Sequence, residues 1–408
     1  MAFTHGVYTQ EVPTKVYAIR TVDSAVPFVV GIAPVHTLPD GVEKPINEPV
    51  LCFNYTQFIK TFGDVPEGDD PSIYTLNETA RVIFTLYGMG PIVFVNVFNP
   101  ADHVDADGNP DPTQVTSADI IGGVDATTGE RTGLELIEEV YPRFGIIPGI
   151  VLAPKFCEDS AVANVMIAKA ELFNQNFKCM AYIDVPKGTA TSTDAVTYKK
   201  NFGSPHAVVF YPYVKEGDRE VPLSIHAAGL TAFVDYRNGG VPYESPSNKE
   251  LYITGPIKTF PFQEADYLNS QGIVTVNRMM TGWKLWGNRT AAFPENTDIK
   301  DSFIACRRMA NWIENSLVVN TWQKVDDPLN KRLIETVKDT TNMWLNGLVG
   351  RQMLLGARVE FLEEDNTEED LANGIIRFHI YYLAPPPAET IEFILEVDTS
   401  YFETVFGK

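Results

Sequence analysis

The sequence predicts a mixed α/β and α+β protein with more than one domain. Strand and helix patterns alternate over residues 26–261 of the 408, which is typical of an α/β fold. Residues 262–408 instead contain two long helix patterns followed by a terminal β layer. Both chain ends have β-strand patterns that no short connection ties to the rest, so we expect extended terminal strands.

The α/β region is predicted from apolar runs of strand length that alternate with helix-like segments. A stretch rich in Asp, Gly, Pro and Thr, residues 101–130, interrupts the pattern and predicts an exposed loop. Residues 26–130 and 131–261 are therefore candidate subdomains. The predicted strands are residues 26–33, 92–98, 146–153, 179–185 and 207–211. The predicted helices are residues 56–62, 72–86, 133–141, 160–176 and 227–234.

Two further helices are predicted in the C-terminal part. Over residues 301–321, apolar side chains recur at helical spacing on one face. Asp327 followed by Pro328 is typical of an N-cap with proline at the first helical position, which predicts a second helix from there to Gly350. An acidic turn then leads to a strand pattern over residues 375–383.

The terminal segments have the alternation of β-strands. At the C-terminus, prolines 385–387 separate this pattern from the preceding strand. A strand on such a tether can fold back, or it can pair with the open sheet edge of a neighbouring molecule and build a polymer. The candidate arm residues are Val7, Tyr8, Val12, Val16 and Ile19 at one end, and Ile391, Phe393, Leu395 and Val397 at the other.

Composition argues against several classes of protein. The net charge of -21 disfavours non-specific attraction to nucleic acid or anionic lipid. The apolar runs are too short to span a bilayer and the first five residues do not begin a signal peptide, so we expect the chain to fold in the cytoplasm. Four widely spaced cysteines without a C-x-x-C pair predict buried, reduced thiols rather than disulfides or zinc ligands.

Charge is unevenly distributed along the chain. Residues 278–358 carry twelve Lys or Arg and eight Asp or Glu, whereas from residue 360 onward twelve acidic residues accompany two basic ones. A basic segment beside an acidic tail predicts two surfaces for two partners. Ordinary solvated helix faces are the alternative interpretation.

No motif for catalysis or cofactor binding emerges. Residues 105–111 imitate a calcium loop, but the glycine comes too early and the closing glutamate is missing. Residues 88–91 lack the third glycine of a dinucleotide loop. Ser224 and His226 are the one close serine and histidine pair, and a structural role for the histidine is favoured. We therefore expect no enzyme activity, no cofactor, no metal and no small-molecule ligand.

A set of motifs nevertheless occurs in a recognisable order over nearly the whole chain. They are HGVY (5–8), SAVPFVVGIAP (24–34), DATTG (125–129), SIHAAGL (224–230), SPSNKEL (245–251), LNSQGI (268–273), LWGNRT (285–290), NTEEDLANG (366–374) and ETIEF (389–393). With these motifs the sequence resembles the contractile tail sheath proteins of bacteriophages and of headless phage-tail-like bacteriocins. The absence of large insertions is typical of a small, simple sheath.

The resemblance implies a discontinuous subunit. Residues 1–25 and 262–408 would form an inner α+β domain against a rigid tube, and residues 26–261 would form an outer α/β region. Terminal arms would add strands to neighbouring copies of the same chain, giving a six-fold helical sheath that contracts without nucleotide and drives the tube through the target cell envelope. The sheath would touch that envelope only indirectly.

Two sets of residues receive roles beyond the arms. Trp286, Asn288 and Arg289, in the LWGNRT motif, are expected to be structural. The basic residues expected to face the inner tube protein are Arg307, Arg308, Lys324, Lys331, Arg332 and Lys338.

The expected partners are further copies of the chain, the tube protein, and baseplate and tail terminator proteins, with no nucleic acid. Assembly in the bacterial cytoplasm would precede incorporation into a virion tail or a released extracellular particle. The alternatives are a tail terminator or baseplate component of the same kind of particle, or a soluble α/β hydrolase, for which the sequence offers a fold pattern but no catalytic triad.

Overall fold

The structure, a computed structural model, describes residues 21–39, 41–280 and 282–407. The N-terminal arm residues Val7, Tyr8, Val12, Val16 and Ile19 lie outside the described residues, so their role stays a prediction.

Thirteen strands lie in the described part of the chain. They are β1 (Pro27–Gly31), β2 (Pro49–Cys52), β3 (Ile92–Asn96), β4 (Ile150–Leu152), β5 (Met180–Asp184), β6 (Ala207–Phe210), β7 (Val214–Glu216), β8 (Arg219–Val221), β9 (Gly255–Pro256), β10 (Ile273–Met279), β11 (Gly282–Trp286), β12 (Gly356–Glu360) and β13 (His379–Leu383).

Helices alternate with these strands and then dominate the C-terminal part. They are α1 (Tyr55–Phe62), α2 (Thr75–Ala80, continued by a π-helical turn at Arg81–Leu86), α3 (Ser117–Ile121), α4 (Ile137–Phe144), α5 (Ser160–Glu171), α6 (Ser192–Lys199), α7 (Leu223–Arg237), α8 (Phe262–Ser270), α9 (Ile299–Ser302), α10 (Ile304–Thr321), α11 (Lys331–Gly350), α12 (Glu368–Ala372) and α13 (Tyr401–Phe406).

An eight-stranded sheet forms the centre of the α/β region, in the order β11-β10-β6-β5-β4-β1-β3-β2. The strands from β10 to β3 pair in parallel, and β2 and β11 pair antiparallel at the two edges. Strands β1, β3, β4, β5 and β6 are buried along their whole length. Their uninterrupted apolar runs are what a parallel sheet covered by helices on both faces requires.

The main sheet crosses two of the expected domain boundaries. It continues through β10 and β11, past the boundary expected at residue 261, because β10 pairs with β6 through Ile273 and Val274. It also crosses the division expected at residue 130, because β1 pairs with both β3 and β4. One hydrophobic core runs from both subdomain candidates into β10 and β11. The α/β region is thus a single unit that extends to Trp286.

A second, smaller core lies in the C-terminal part. It is formed by apolar side chains of α10, α11 and the two-stranded antiparallel sheet of β12 and β13. Trp312 of α10 and Trp344 of α11 lie with their ring centroids 5.5 Å apart at its centre. The α+β character predicted for this part is confirmed.

Two predicted element boundaries differ from the structure. Helix α11 begins at Lys331, because the Asn330 side chain rather than that of Asp327 accepts the capping hydrogen bond, from the Leu333 N–H at 3.0 Å. Helix α5 ends at Glu171, because Asn174 and Gln175 adopt positive φ angles in a tight turn.

Gly149 is a sensitive point of this architecture. A Cβ added there would lie 2.0 Å from the backbone oxygen of Ser24, which precedes β1. We expect Gly149→Ala to destabilise the protein by about 1–3 kcal/mol, because one backbone segment must move. Gly203→Ala is the matched control, since nothing lies within 4 Å of the position that its added methyl group would occupy. Urea denaturation compares the two, and equal midpoints would contradict the expectation.

Candidate functional site

The C-terminal segment presents apolar side chains to solvent. Ile391, Phe393, Leu395 and Val397 are 74%, 83%, 94% and 90% exposed, and residues 391–397 form no strand within the described chain. Burying such a side chain contributes about 1.5–3 kcal/mol relative to leaving it exposed. A contiguous exposed apolar segment of this kind is typical of an interaction site.

The sheet of β12 and β13 is the nearest strand pair in sequence to this segment. Its register pairs Gly356 with Leu383 and Glu360 with His379. Ile380 and Tyr382 pack on the second core but stay half-buried. Burial raises the pKa of Tyr382 to about 12. A two-stranded sheet is at best marginally stable alone, so this one depends on α11 on one side and leaves room for further strands.

The connector between β13 and the C-terminal segment is held by Arg289. Its Nε donates to Oε1 of Glu389 at 2.8 Å, and its NH1 donates to the Ser302 hydroxyl at 3.1 Å. The guanidinium also lies over the rings of Phe303 and Phe293, at 3.8 and 4.4 Å from their centroids. A planar guanidinium can form the ion pair and stack on the rings at the same time, and a lysine ammonium is less suited to this.

The three residues predicted to be structural lie around one cleft. Trp286 ends β11, the Asn288 side chain accepts a hydrogen bond from the Ser245 hydroxyl, and the Asn288 carbonyl accepts one from the Ile304 N–H at 2.9 Å. With Arg289 they line an open cleft of about 650 Å³, whose other wall includes prolines 385–387 and Glu389. The LWGNRT motif therefore lies against the base of the C-terminal segment.

Two of the basic residues predicted to face a tube are buried, which corrects that prediction. Arg307 is 4% exposed and donates to Asn311, Asp301 and Glu314 at 2.9, 3.2 and 3.0 Å. Arg308 is 3% exposed and forms a two-pronged pair with Asp235 of α7. Buried arginines require such partners. Those of Arg307 are near it in the sequence, whereas Asp235 comes from a segment that the sequence pattern does not connect with Arg308.

The Arg308 cluster also holds the segment that precedes β1. Arg308 donates to the Ser24 carbonyl at 3.3 Å, and the Ser24 hydroxyl donates to Asp235 at 2.5 Å. Four residues along α10, Trp312 donates its indole N–H to the Val22 carbonyl at 2.8 Å. Helix α10 therefore fixes the base of the N-terminal segment.

The other four basic residues lie at the connection between α10 and α11 or on α11. Lys331 and Arg332 are exposed, Lys338 is half-buried, and Lys324 pairs with Asp327 at 3.3 Å. The clustering of these four basic residues was visible in the sequence. The structure adds exposed Trp322 and Val325 on the same connection, which sequence reasoning missed because an exposed tryptophan in a helix pattern resembles a core residue.

Ser224 and His226 have separate partners. The Ser224 hydroxyl donates a hydrogen bond to the carboxylate of Asp184. Burial raises the pKa of Asp184 to about 7. His226 instead contacts Tyr87 at 3.2 Å and Glu216 at 2.9 Å. A serine nucleophile would instead need the histidine as its own partner.

In the described ranges, no three His, Cys, Asp or Glu side chains are grouped as metal ligands would be, and none of the helices there could cross a membrane.

The chain is similar to known tail sheath proteins. Residues 113–291 match the family model of the phage tail sheath protein central domain. The chain is 28% identical to the tail sheath protein of Burkholderia phage BcepMu and 29% identical to a putative prophage major tail sheath protein of Pseudomonas aeruginosa strain UCBPP-PA14, each over 99% of both chains. The helical sheath of the anti-feeding prophage in its contracted state has a similar fold, with a TM-score of 0.69 and 18% identity over 96% of this chain and 99% of that one.

The fold is therefore similar to that of a contractile sheath protein. Residues 113–291 thus match the central domain of phage tail sheath proteins, and the whole chain is similar in sequence to tail sheath proteins of a phage and a prophage. The predicted family resemblance is confirmed.

The Arg308–Asp235 pair allows a direct test. We expect Arg308→Met to lower the free energy of unfolding by about 3–5 kcal/mol, because it leaves the Asp235 carboxylate buried without its charged partner. Arg332→Gln, at an exposed position, should change it by less than about 0.5 kcal/mol. Chemical denaturation followed by circular dichroism measures both, and equal stabilities would show that the pair does not hold the two cores together.

Proposed function

We propose that this subunit polymerises into a six-fold helical sheath around a rigid inner tube, and that contraction of the sheath drives the tube through the target cell envelope. The observation that carries the polymerisation is the exposed, unpaired apolar segment at 391–397 in a chain that also has a two-stranded sheet. The six-fold symmetry and the tube are what similarity to the sheath family leads us to expect.

Contraction needs no chemical step in this proposal. An extended lattice stores conformational energy, which is released as subunits rotate and slide into a tighter one. Ser224 and His226, which bind different acidic partners, give an α/β hydrolase no support. We therefore propose that the subunit is not an enzyme and acts without cofactor, metal or nucleotide.

The inner domain of the proposal contains the N-terminal segment and the chain from residue 287 onward, and the α/β region faces outward. The hydrogen bond from Trp312 to Val22 supports this division, because it joins the two ends of the chain at one helix. The boundary replaces the one expected at residue 261, since β10 and β11 belong to the main sheet.

The surface proposed to contact the tube is the connection between α10 and α11 with the start of α11. Lys331, Arg332 and Lys338 supply its positive charge, and Trp322 and Val325 supply exposed apolar area. Each exposed charge contact is worth about 1 kcal/mol or less, but a helical array repeats it at every subunit.

Baseplate and terminator proteins are the further partners we propose, at the two ends of the sheath. Assembly takes place in the bacterial cytoplasm, and the particle is released afterward. A role as terminator or baseplate component itself remains the second candidate, and a terminator would form closed rings rather than long tubes.

The C-terminal arm is tested by truncation. Deleting residues 390–408 should abolish polymerisation and leave circular dichroism nearly unchanged, because the exposed segment adds little to either core. The double variant Phe393→Asp, Leu395→Asp should have the same effect as the deletion, whereas Glu392→Gln should assemble normally. Sedimentation and electron microscopy report the outcome. Normal tubes from the truncated chain would refute the arm, as would a sharp fall in the melting temperature of its monomer.

The tube-facing surface is tested by charge reversal. Lys331→Glu, Arg332→Glu and Lys338→Glu together should weaken assembly around tubes at least severalfold at low salt, because attraction to an acidic partner becomes repulsion. A matched control reverses Lys60, Arg219 and Arg237, three exposed basic residues of the α/β region, and so changes the net charge equally. Co-sedimentation with tubes is measured for both, and equal binding would contradict the assignment.

A further inference from the structure

The connector of residues 384–390, between β13 and the C-terminal arm (residues 391–397), is held at two points. Ala384, at its start, is buried in the second core. In the described ranges, the hydrogen bonds of the connector are two that the Glu389 carboxylate accepts from Arg289, at 2.8 Å from Nε and 2.5 Å from a terminal guanidinium nitrogen. Prolines 385–387, between these points, have no backbone N–H to donate. The Arg289–Glu389 ion pair is therefore the polar contact that fixes the outer end of the connector.

Arg289 is fixed by contacts that do not involve the connector. Its guanidinium donates to the hydroxyl of Ser302 at 3.1 Å and lies over the rings of Phe303 and Phe293. The backbones of Arg289 and Phe303 form an antiparallel bridge. The Phe293 carbonyl accepts a hydrogen bond at 2.6 Å from Lys199, whose buried side chain comes from α6 of the α/β region. These contacts hold the guanidinium in one position, so it can bind the carboxylate without rearranging.

In the part of the chain that the structure describes, Glu389 has no comparable support. Its side chain is 35% exposed, whereas that of Arg289 is 17% exposed. The neighbouring residues Ala388 and Thr390 are exposed as well. The connector forms one wall of the open cleft of about 650 Å³, so it has space to move. A two-pronged arginine pair at such a position forms with defined geometry and still separates at low cost, because water can solvate both charges after the pair opens.

We propose that the Arg289–Glu389 pair is a latch that sets the point from which the C-terminal arm leaves the subunit. While the pair is formed, the arm begins beside Arg289, at the end of the connector. When the pair opens, Ala384 is the last fixed point, and residues 385–389 lengthen the arm by up to about 15 Å, at about 3.1 Å per residue of extended proline-rich chain. The inference rests on the proposed polymerisation through residues 391–397 and adds how the base of the arm is controlled.

A latch of this kind reconciles two requirements of a polymer that contracts. Subunits that rotate and slide change their separation, so a connector of fixed length would be strained. A connector that is always loose would leave the arm less ordered before it binds, and ordering the arm on binding costs conformational entropy. The closed pair orders the base of the arm in the free subunit, and the open pair supplies length when a neighbour moves away.

Three variants separate the ion pair from the net charge of the chain. Glu389→Gln removes the charge that Arg289 binds. Glu389→Asp keeps the charge, and the connector can move by the length of the missing methylene group, since no other hydrogen bond in the described ranges holds it. Glu67→Gln, at an exposed position of the α/β region, is the matched control, because it makes the same change in net charge. An effect of the pair should therefore appear in Glu389→Gln alone.

A spin label at Thr390→Cys reports the latch in the unassembled subunit. The four native cysteines are buried, so the label attaches to the introduced thiol. We expect electron paramagnetic resonance to show restricted motion of the label with Glu389, Glu389→Asp and Glu67→Gln, and a rotational correlation time at least twofold shorter with Glu389→Gln. Equal correlation times for all four proteins would overturn the latch.

The rate of polymerisation tests what the latch does. Glu389→Gln should slow tube formation at least threefold, measured by light scattering, because the arm must then be ordered during binding. Glu389→Asp and Glu67→Gln should assemble at the original rate. The melting temperatures of all variants should agree, because Glu389 lies outside both cores. A lowered melting temperature of Glu389→Gln, or its assembly at the original rate, would refute the role of the pair in positioning the arm.

Deletion of residues 390–408 distinguishes this inference from the proposed function. If the truncated chain assembles normally, the arm itself is wrong and the proposed polymerisation fails with it. If truncation abolishes assembly while Glu389→Gln assembles at the original rate, the arm is retained and the latch alone is refuted.

Discussion

The buried ion pair between Arg308 and Asp235 is the contact on which the arrangement of the two cores depends. It joins α10, from the C-terminal part, to α7, which packs on the main sheet. Removing two charges from water is costly, and further hydrogen bonds to the charged groups offset part of that cost. Asp235 also accepts a hydrogen bond from Ser24, so the N-terminal segment is part of the same cluster.

A second guanidinium holds the other end of the chain. Arg289 binds Glu389 and lies over Phe303, the residue that caps α10. The bases of both terminal segments are therefore fixed to α10. Phe303, at the start of this helix, contacts Arg289, which holds the C-terminal connector. Arg308 and Trp312, farther along the helix, bind the segment that precedes β1. In a polymer built through terminal arms, a force on one arm would reach the other through α10.

The subunit shows a clear contrast between satisfied and unsatisfied groups. In the interior, Arg307 and Arg308 are both buried with acidic partners. The C-terminal segment leaves its apolar side chains exposed. Further copies of the chain are the partners that we propose for these side chains.

The sequence by itself determined the α/β character, five of the eight strands of the main sheet and the apolar segment near residue 391. These follow from local periodicity, since a buried parallel strand is a short apolar run and an arm is an alternating one. It also carried enough ordered motifs to indicate the sheath family. Tertiary structure decided that β10 and β11 join the main sheet and that Arg308 is buried against Asp235. Each depends on a partner distant in the chain, such as Asp235, 73 residues from Arg308. Local patterns cannot report such pairings, because packing of whole elements brings the partners together.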